Sequence, residues 1–467
     1  MGIDPGPGRP TSPTTSIVEP RSAIEGLEWP AVPDPTASRV LALAFQLEHS
    51  QWWPPGTLLD HQLRQAGRVV EHARRTSRFY AGRFDGLDLG PGPPSLDQFR
   101  SLPTLDRETV QREGPALRST SRPRSHGEIL TMHTSGSTGR PTEVQATGLS
   151  CLFLMAHTLR DHLWGRRAFS GSMVLMQSAS GRSAEGRFPG WFRGIATGPA
   201  RVVDVTRPVG ELLDLLIEED PDYLQVHPST LGALLDRSLR AGVAPGRLKQ
   251  VKCFGEVLGP TTRERCRVQW GAEVRDCYAS EECGPIALQC PESGDLHIQA
   301  ESTLVEVLDD RGEPCGPGEV GQVHVTPLHN FAMPLIRYGL GDYAEVGAPC
   351  PCGRGLPTLR RVVGRVRHLV RLPRGDRIHP EFDEEALRAI ADIRQYQLTQ
   401  VEPERIDVSL VVEGGPLDDD RERLLCDHFD SAFRHRFRYR VRYLDEIPRT
   451  PRGKFEVFRC EVDDPRP

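Results

Sequence analysis

The residues Thr134-Ser135-Gly136-Ser137-Thr138-Gly139-Arg140-Pro141-Thr142 crowd four hydroxyls and two glycines ahead of a proline, just after the apolar-rich run Glu128–Met132. Glycines let backbone N–H groups approach an anion closely, and serine and threonine hydroxyls add further donors. Such a loop can hold a polyphosphate, although a Ser/Gly-rich surface turn shares the composition. It carries no lysine, so it is not the Gly-x-x-x-x-Gly-Lys-Ser/Thr loop of P-loop kinases and ATPases. Lysine is scarce throughout: of 58 basic residues only Lys249, Lys252 and Lys454 are lysines. Lysine is a compact point charge and arginine a planar fork, so a lysine kept against this bias is a candidate for chemistry. Lys454 ends Ile447-Pro448-Arg449-Thr450-Pro451-Arg452-Gly453-Lys454, a loop constrained by two prolines and a glycine.

Other segments could cooperate with that loop. Asp276-Cys277-Tyr278-Ala279-Ser280-Glu281-Glu282 sets a hydroxyl beside carboxylates after an expected strand, a set able to hold phosphate and Mg²⁺ together; a plain turn or helix start reads the same way. Arg337-Tyr338-Gly339-Leu340-Gly341-Asp342 can present a carboxylate to a ribose diol, or can simply turn into a strand at Tyr343–Val346. Cys290, His297, Cys350 and Cys352 offer three thiols and one imidazole, enough for a structural tetrahedral zinc site. Their spacing is not that of a standard zinc finger, and unrelated buried thiols fit equally well. Cys283 has no evident partner base, His227 reads as packed or pocket-lining, and Asp383-Glu384-Glu385 reads as a solvated helix start.

These groups need a scaffold. Leu58–Thr76, Glu211–Glu219 and Ser229–Ala241 have helical periodicity, and Pro221 closes the second. The short apolar runs Met173–Met176, Tyr223–Val226 and Val251–Phe254 alternate with them as buried strands, which predicts an α/β architecture. Beyond Thr303 the pattern changes: Leu304–Leu308 and Gly321–Thr326 read as strands joined by the turn-rich Asp309–Glu319. Asp407–Val412 and Asp418–Phe433 mix strand and helix, as a smaller α+β domain after about residue 365 would. The 467 residues exceed one typical domain. The net charge of −6 calls for no nucleic-acid partner, and no apolar run reaches the ~18 residues of a membrane span. Eight prolines in residues 1–36 without an apolar core predict a disordered leader rather than a signal peptide. A cytoplasmic setting with reduced cysteines follows as an expectation.

Taken in order, the segments resemble the AMP-forming adenylate ligases (the ANL superfamily), and among them the phenylacetate–CoA ligase-like branch, from about Leu43 to Val462. The resemblance implies a large multi-sheet α/β N-terminal adenylating domain (39–365) after a leader (1–38), and a smaller mobile α+β C-terminal domain (366–467). It implies that Thr134, Ser135, Gly136, Ser137, Thr138 and Gly139 bind the nucleotide phosphates, with Glu256, Tyr278, Asp342 (on the ribose) and Arg365 (near the hinge) completing the ATP site. Without a gap Glu282 falls on the Mg²⁺-binding glutamate and Glu281 replaces a hydroxyl residue; a one-residue deletion would put Ser280 on the hydroxyl and Glu281 on the metal. Lys454 falls on the mobile catalytic lysine. His227, Phe254, Cys283, Gly284 and Pro285 would line the substrate pocket. Cys290, His297, Cys350 and Cys352 match a structural zinc site found in part of this branch. Two further positions depart from the family: Phe254 in Phe254-Gly255-Glu256 stands where the family has glycine, and Arg367 stands at a hinge position usually Asp or Lys.

The implied chemistry is attack of a carboxylate on the α-phosphorus of ATP, releasing pyrophosphate, then transfer of the acyl group to a thiol, with ATP, Mg²⁺, zinc and coenzyme A as cofactors. An acyl carrier protein, an amine or another nucleophile is the alternative acceptor, and a non-catalytic binding protein is the remaining rival. The expected partner is a small carboxylic acid, with homodimerisation left open. Trp191, Phe188 and Phe254, with the segment Ser178–Phe192, favour an aryl or arylalkyl acid, and Arg182 and Arg187 could meet an anionic substituent.

Overall fold

The computed structural model describes residues 18–87, 92–134, 142–178, 185–365, 370–373, 377–378, 380, 382, 384–448 and 455–462. The first strands are β1 (Ile129–Thr134), β2 (Thr142–Thr147), β3 (Met173–Gln177), β4 (Gly186–Phe188), β5 (Ala200–Asp204), β6 (Tyr223–Val226), β7 (Gln250–Phe254) and β8 (Glu273–Ser280). They continue with β9 (Gly284–Gln289), β10 (Leu296–Ile298), β11 (Thr303–Leu308), β12 (Val320–Pro327), β13 (Tyr338–Val346) and β14 (Thr358–Arg365). Strands β3–β14 form one twelve-stranded sheet in the order β11-β12-β13-β14-β10-β9-β8-β7-β6-β3-β5-β4. From β5 to β8 neighbours are parallel, and the rest of the sheet is antiparallel.

The parallel stretch places the site. Parallel neighbours need crossovers, and helices Val209–Glu219, Pro228–Ala241 and Pro260–Trp270 supply them. Each starts on or just after a proline, and Gly242 and Gly271 follow the last two in left-handed conformation. Their apolar stripes bury Leu212, Leu216, Leu231, Leu234 and Leu235 against Val226, Val251 and Val274 of the sheet. A helix at Gly148–Trp164 covers the opposite face. Because β3, β6, β7 and β8 run the same way, the residues that follow them, Ser178, His227, Gly255 and Glu281, open on one cavity.

The helix expected from Leu58 begins three residues earlier, at Pro55, because proline fits the first turn. The hairpin expected around Asp309–Glu319 forms from β11 and β12, with Leu308 opposite Gln322. A correction concerns the leader. Residues 1–17 lie outside the described residues, but 18–38 are not a disordered tail. Pro20 bridges Ile195, the Arg21 amide donates to Gly194 O (2.9 Å), and Asp34 caps a helix over Pro35–Ser50. Prolines leave few donors to satisfy, so this extended segment lies along the domain without forming a strand; composition reports only the lack of local structure.

Beyond Arg365 the chain builds β15 (Val370–Arg371), β16 (Arg377–Ile378), β17 (Ile393–Glu402), β18 (Arg405–Val412), β19 (Arg438–Tyr443) and β20 (Phe458–Cys460). Four of these form a sheet in the order β19-β18-β17-β20, covered by the helix Asp419–Phe433. Leu398, Ile406, Leu410, Leu425, Phe429 and Phe433 give it a core separate from those of the large sheet. This is the α/β body with a smaller α+β domain that the sequence predicts. Among the described residues no helix is long and apolar enough to cross a membrane.

Candidate active site

Tyr278, near the end of β8, donates its hydroxyl to Asp342 Oδ2 at 2.8 Å. Asp342 lies directly across from Arg365 in the β13–β14 ladder, and Arg365 Nε reaches Asp342 Oδ1 at 3.3 Å. Gly341, at φ +77°, makes the local bend that a side chain would oppose. Burial and then Asp342 push the Tyr278 hydroxyl well above the ordinary phenol range, so it remains a donor. Burial by itself would lower the Arg365 guanidinium, but Asp342 and Glu282 outweigh it and raise it.

The turn between β8 and β9 carries Ser280-Glu281-Glu282-Cys283, with Ser280 opposite Gly284. Ser280 Oγ accepts the Cys283 amide at 3.0 Å and closes the turn. Glu281 is exposed, whereas Glu282 is buried, 3.6 Å from Arg107 Nη1. Arg107 opens the helix Arg107–Leu117, whose N-cap Asp106 accepts the Thr109 amide. Nothing in the sequence separates Arg107 from the other arginines; its position before Glu282 comes from tertiary packing. Burial pushes the Cys283 thiol far above its usual range, which disfavours the nucleophilic thiolate.

Glu256, just past β7, accepts the Ser229 amide (2.9 Å) and hydroxyl (3.1 Å) at the N-terminus of the helix Pro228–Ala241. The helix dipole favours a carboxylate there. Glu256 Oε1 also accepts the amide of Phe455, the residue after Lys454, at 3.2 Å. His227 donates Nδ1 to Phe254 O at 2.9 Å, and the two rings lie 4.5 Å apart. His227, Phe254, Glu256, Cys283, Gly284 and Pro285 all line the cavity, of about 1820 Å³, which extends to residues of the small domain.

The loop 135–141 lies outside the described residues, and with it Ser135, Gly136, Ser137, Thr138 and Gly139; so do Lys454, Arg367 and Arg182. The loop's flanks are described. Thr134 pairs with Thr142 across the β1–β2 hairpin, and Thr142 is buried with Oγ1 accepting from Gln111.

Part of the expected substrate wall lies elsewhere. Trp191 stacks on Phe169 and donates to Gly171 O, Phe188 is exposed on β4, and Arg187 pairs with Glu219 at 2.7 Å. The segment reads as pocket because its aromatics and arginines cluster in sequence; Ser178 does line the cavity, but edge strand β4 carries Arg187, Phe188 and Trp191 away from it. A charged cluster that the sequence does not announce is present instead. Lys252 Nζ sits 2.9 Å from Asp161 Oδ2, and Arg167 Nη1 takes the same oxygen at 2.8 Å.

The ligand atoms of Cys290, His297, Cys350 and Cys352 all lie within 4.8 Å of one another. Cys350 and Cys290 sulfurs are 3.7 Å apart, and a tetrahedral site with Zn–S bonds of ~2.3 Å has an S–S edge of about 3.8 Å. His297 donates Nδ1 to Leu356 O (3.2 Å), which leaves Nε2, 3.3 Å from Cys352 Sγ, as a lone-pair donor. The Glu292 amide donates to Cys290 Sγ at 3.4 Å, which favours a thiolate there. The four residues therefore fit zinc in ligand type, spacing and tautomer.

The chain also matches known proteins. Residues 93–331, just over half of the chain, match the AMP-binding enzyme family, and residues 370–460 match the CapK C-terminal domain. The chain is 28% identical to a phenylacetate–coenzyme A ligase of Thermus thermophilus over 70% of its length and 74% of the relative's. It is 24% identical to one of Pseudomonas putida, over 81% and 87%. The fold resembles that of a 2-hydroxyisobutyryl-CoA ligase bound to its acyl-adenylate, with a TM-score of 0.68 at 18% identity over 86% of this chain and 89% of that one.

Proposed function

This chain belongs to the AMP-binding enzyme family, and we propose that it activates a carboxylic acid with ATP and passes the acyl group to the thiol of coenzyme A. The observation that carries this reading is the convergence of Tyr278, Asp342, Arg365, Glu282 and Glu256 on one cavity at the ends of parallel strands. No P-loop lysine is needed for such chemistry, because the reaction is at the α-phosphate and pyrophosphate leaves.

Asp342, held by Tyr278 and Arg365, is oriented to accept the two ribose hydroxyls. Glu282 is the carboxylate suited to Mg²⁺, which when bound neutralises charge on the phosphates; Arg107 balances Glu282 otherwise. The loop around 135–141 donates to the leaving pyrophosphate. Lys454 bridges the attacking carboxylate and the nucleotide, and the Phe455–Glu256 hydrogen bond supports its entry from the small domain. Positioning and charge neutralisation carry the step, since little covalent chemistry falls to the protein. The small domain then turns about the segment near Arg365 to admit the thiol. An acid with an aryl or arylalkyl group would lie against Phe254. Cys290, His297, Cys350 and Cys352 would hold a structural zinc, which when bound would tie the β9–β10 hairpin to the β13–β14 connection.

The test is Lys454→Ala assayed by acid-dependent pyrophosphate exchange. A loss of ~10²–10³ in rate is expected. Exchange at the wild-type rate would remove the role given to this lysine. Release of AMP from a preformed adenylate that depends on coenzyme A checks the acceptor; release only with an amine or a carrier protein would replace it.

A further inference from the structure

We propose that the acid taken by this cavity carries a second, anionic group remote from its reacting carboxylate, and that Lys252 receives it. The inference rests on the adenylation reading above and deepens it. Lys252 lies on β7 two residues before Phe254, so both side chains leave the same face, with Lys252 roughly 7 Å deeper along the strand. Both line the cavity.

The charges around Lys252 do not balance. Asp161 Oδ2 takes both Lys252 Nζ at 2.9 Å and Arg167 Nη1 at 2.8 Å, so two cations share one carboxylate. His162 contacts Arg167, and burial, then Arg167, drive its imidazole well below the usual range and keep it neutral. The neighbouring buried arginines have their own carboxylates: Arg160 pairs with Glu301 and Arg275 with Glu273. An excess cation in a low-dielectric wall is costly until an anion joins it.

The Lys252 side chain is also accessible from the cavity. Lys252 keeps 15% side-chain exposure against 5% for Asp161, so the lysine faces the cavity and the aspartate backs it. Of its three donors, one is used by Asp161 among the described residues. One helical turn before Asp161, His157 lines the same cavity, its Nε2 meeting Ser302 Oγ at 2.8 Å. Trp191 and Phe188, which would have made this wall aromatic, lie elsewhere.

Pyrophosphate exchange with matched acids tests the proposal: valerate against glutarate, and phenylacetate against 4-carboxyphenylacetate. The wild type is expected to favour the diacid of each pair by at least about tenfold in kcat/KM. Lys252→Met should bring that ratio to about one, mainly through the diacid KM, and Lys252→Arg should keep part of it. Preference for the neutral member, or an unchanged ratio in Lys252→Met, overturns the inference while leaving adenylation intact. Should Lys252→Met fail to fold, the wild-type preference alone decides. No exchange with any acid overturns the adenylation reading and this inference with it.

Discussion

Glu281 and Glu282 are adjacent and chemically identical, yet only Glu282 is buried, in the group formed with Arg107, Asp342 and Arg365. The sequence leaves two registers open for this segment, and the turn geometry favours the one without a gap. Glu282→Gln should therefore lower pyrophosphate exchange by ~10²–10³, whereas Glu281→Gln should lower it less than about tenfold. The reverse order, measured in the same assay, would restore the shifted register. Side chains such as Tyr278 and Asp342 were legible because their neighbours form an ordered motif. Arg107, Asp161 and Arg167 were not, because each acts through a partner 6 to 175 residues away.

At the scale of elements, helices announce themselves through proline starts and glycine stops, and the buried strands through short apolar runs. The helix Gly148–Trp164 shows where that reading ends. Its second half buries His157, Arg160, Asp161 and His162, which apolar periodicity cannot forecast, and their partners are Ser302, Gln299, Glu301, Arg167 and Lys252. The Cys/His cluster is also an element-scale device, since Cys290 follows β9, His297 lies on β10, and Cys350 and Cys352 lie between β13 and β14. Purified protein should carry about one zinc per chain, and Cys352→Ser or chelation should release it and lower the melting temperature by several degrees. Metal analysis by mass spectrometry with calorimetry checks this; stability indifferent to both treatments would reject a structural zinc.

At the scale of the whole molecule, the two domains meet through exposed ion pairs. Arg240 reaches Asp392 at 3.0 Å, Arg388 reaches Asp236 at 3.2 Å, and the Phe455 amide lies on Glu256. Exposed pairs are worth roughly 0–1 kcal/mol each, so such an interface can open at little cost. Replacing Arg240 and Arg388 together by alanine should change the ratio of adenylation to acyl-transfer rates by about 3- to 10-fold with little effect on melting temperature. Single-turnover measurements of the two half-reactions check it, and an unchanged ratio would mean that these pairs do not bias the domains. The sequence by itself determined the α/β class with a smaller α+β domain, because that is written in local periodicity, and its short ordered motifs named the candidate nucleotide-site residues. Only the tertiary structure decided which glutamate faces inward, that Trp191 and Phe188 leave the cavity, and that Lys252 and Arg167 share Asp161. Those outcomes depend on which residues the twelve-stranded sheet brings face to face, and spacing along the chain carries no record of that.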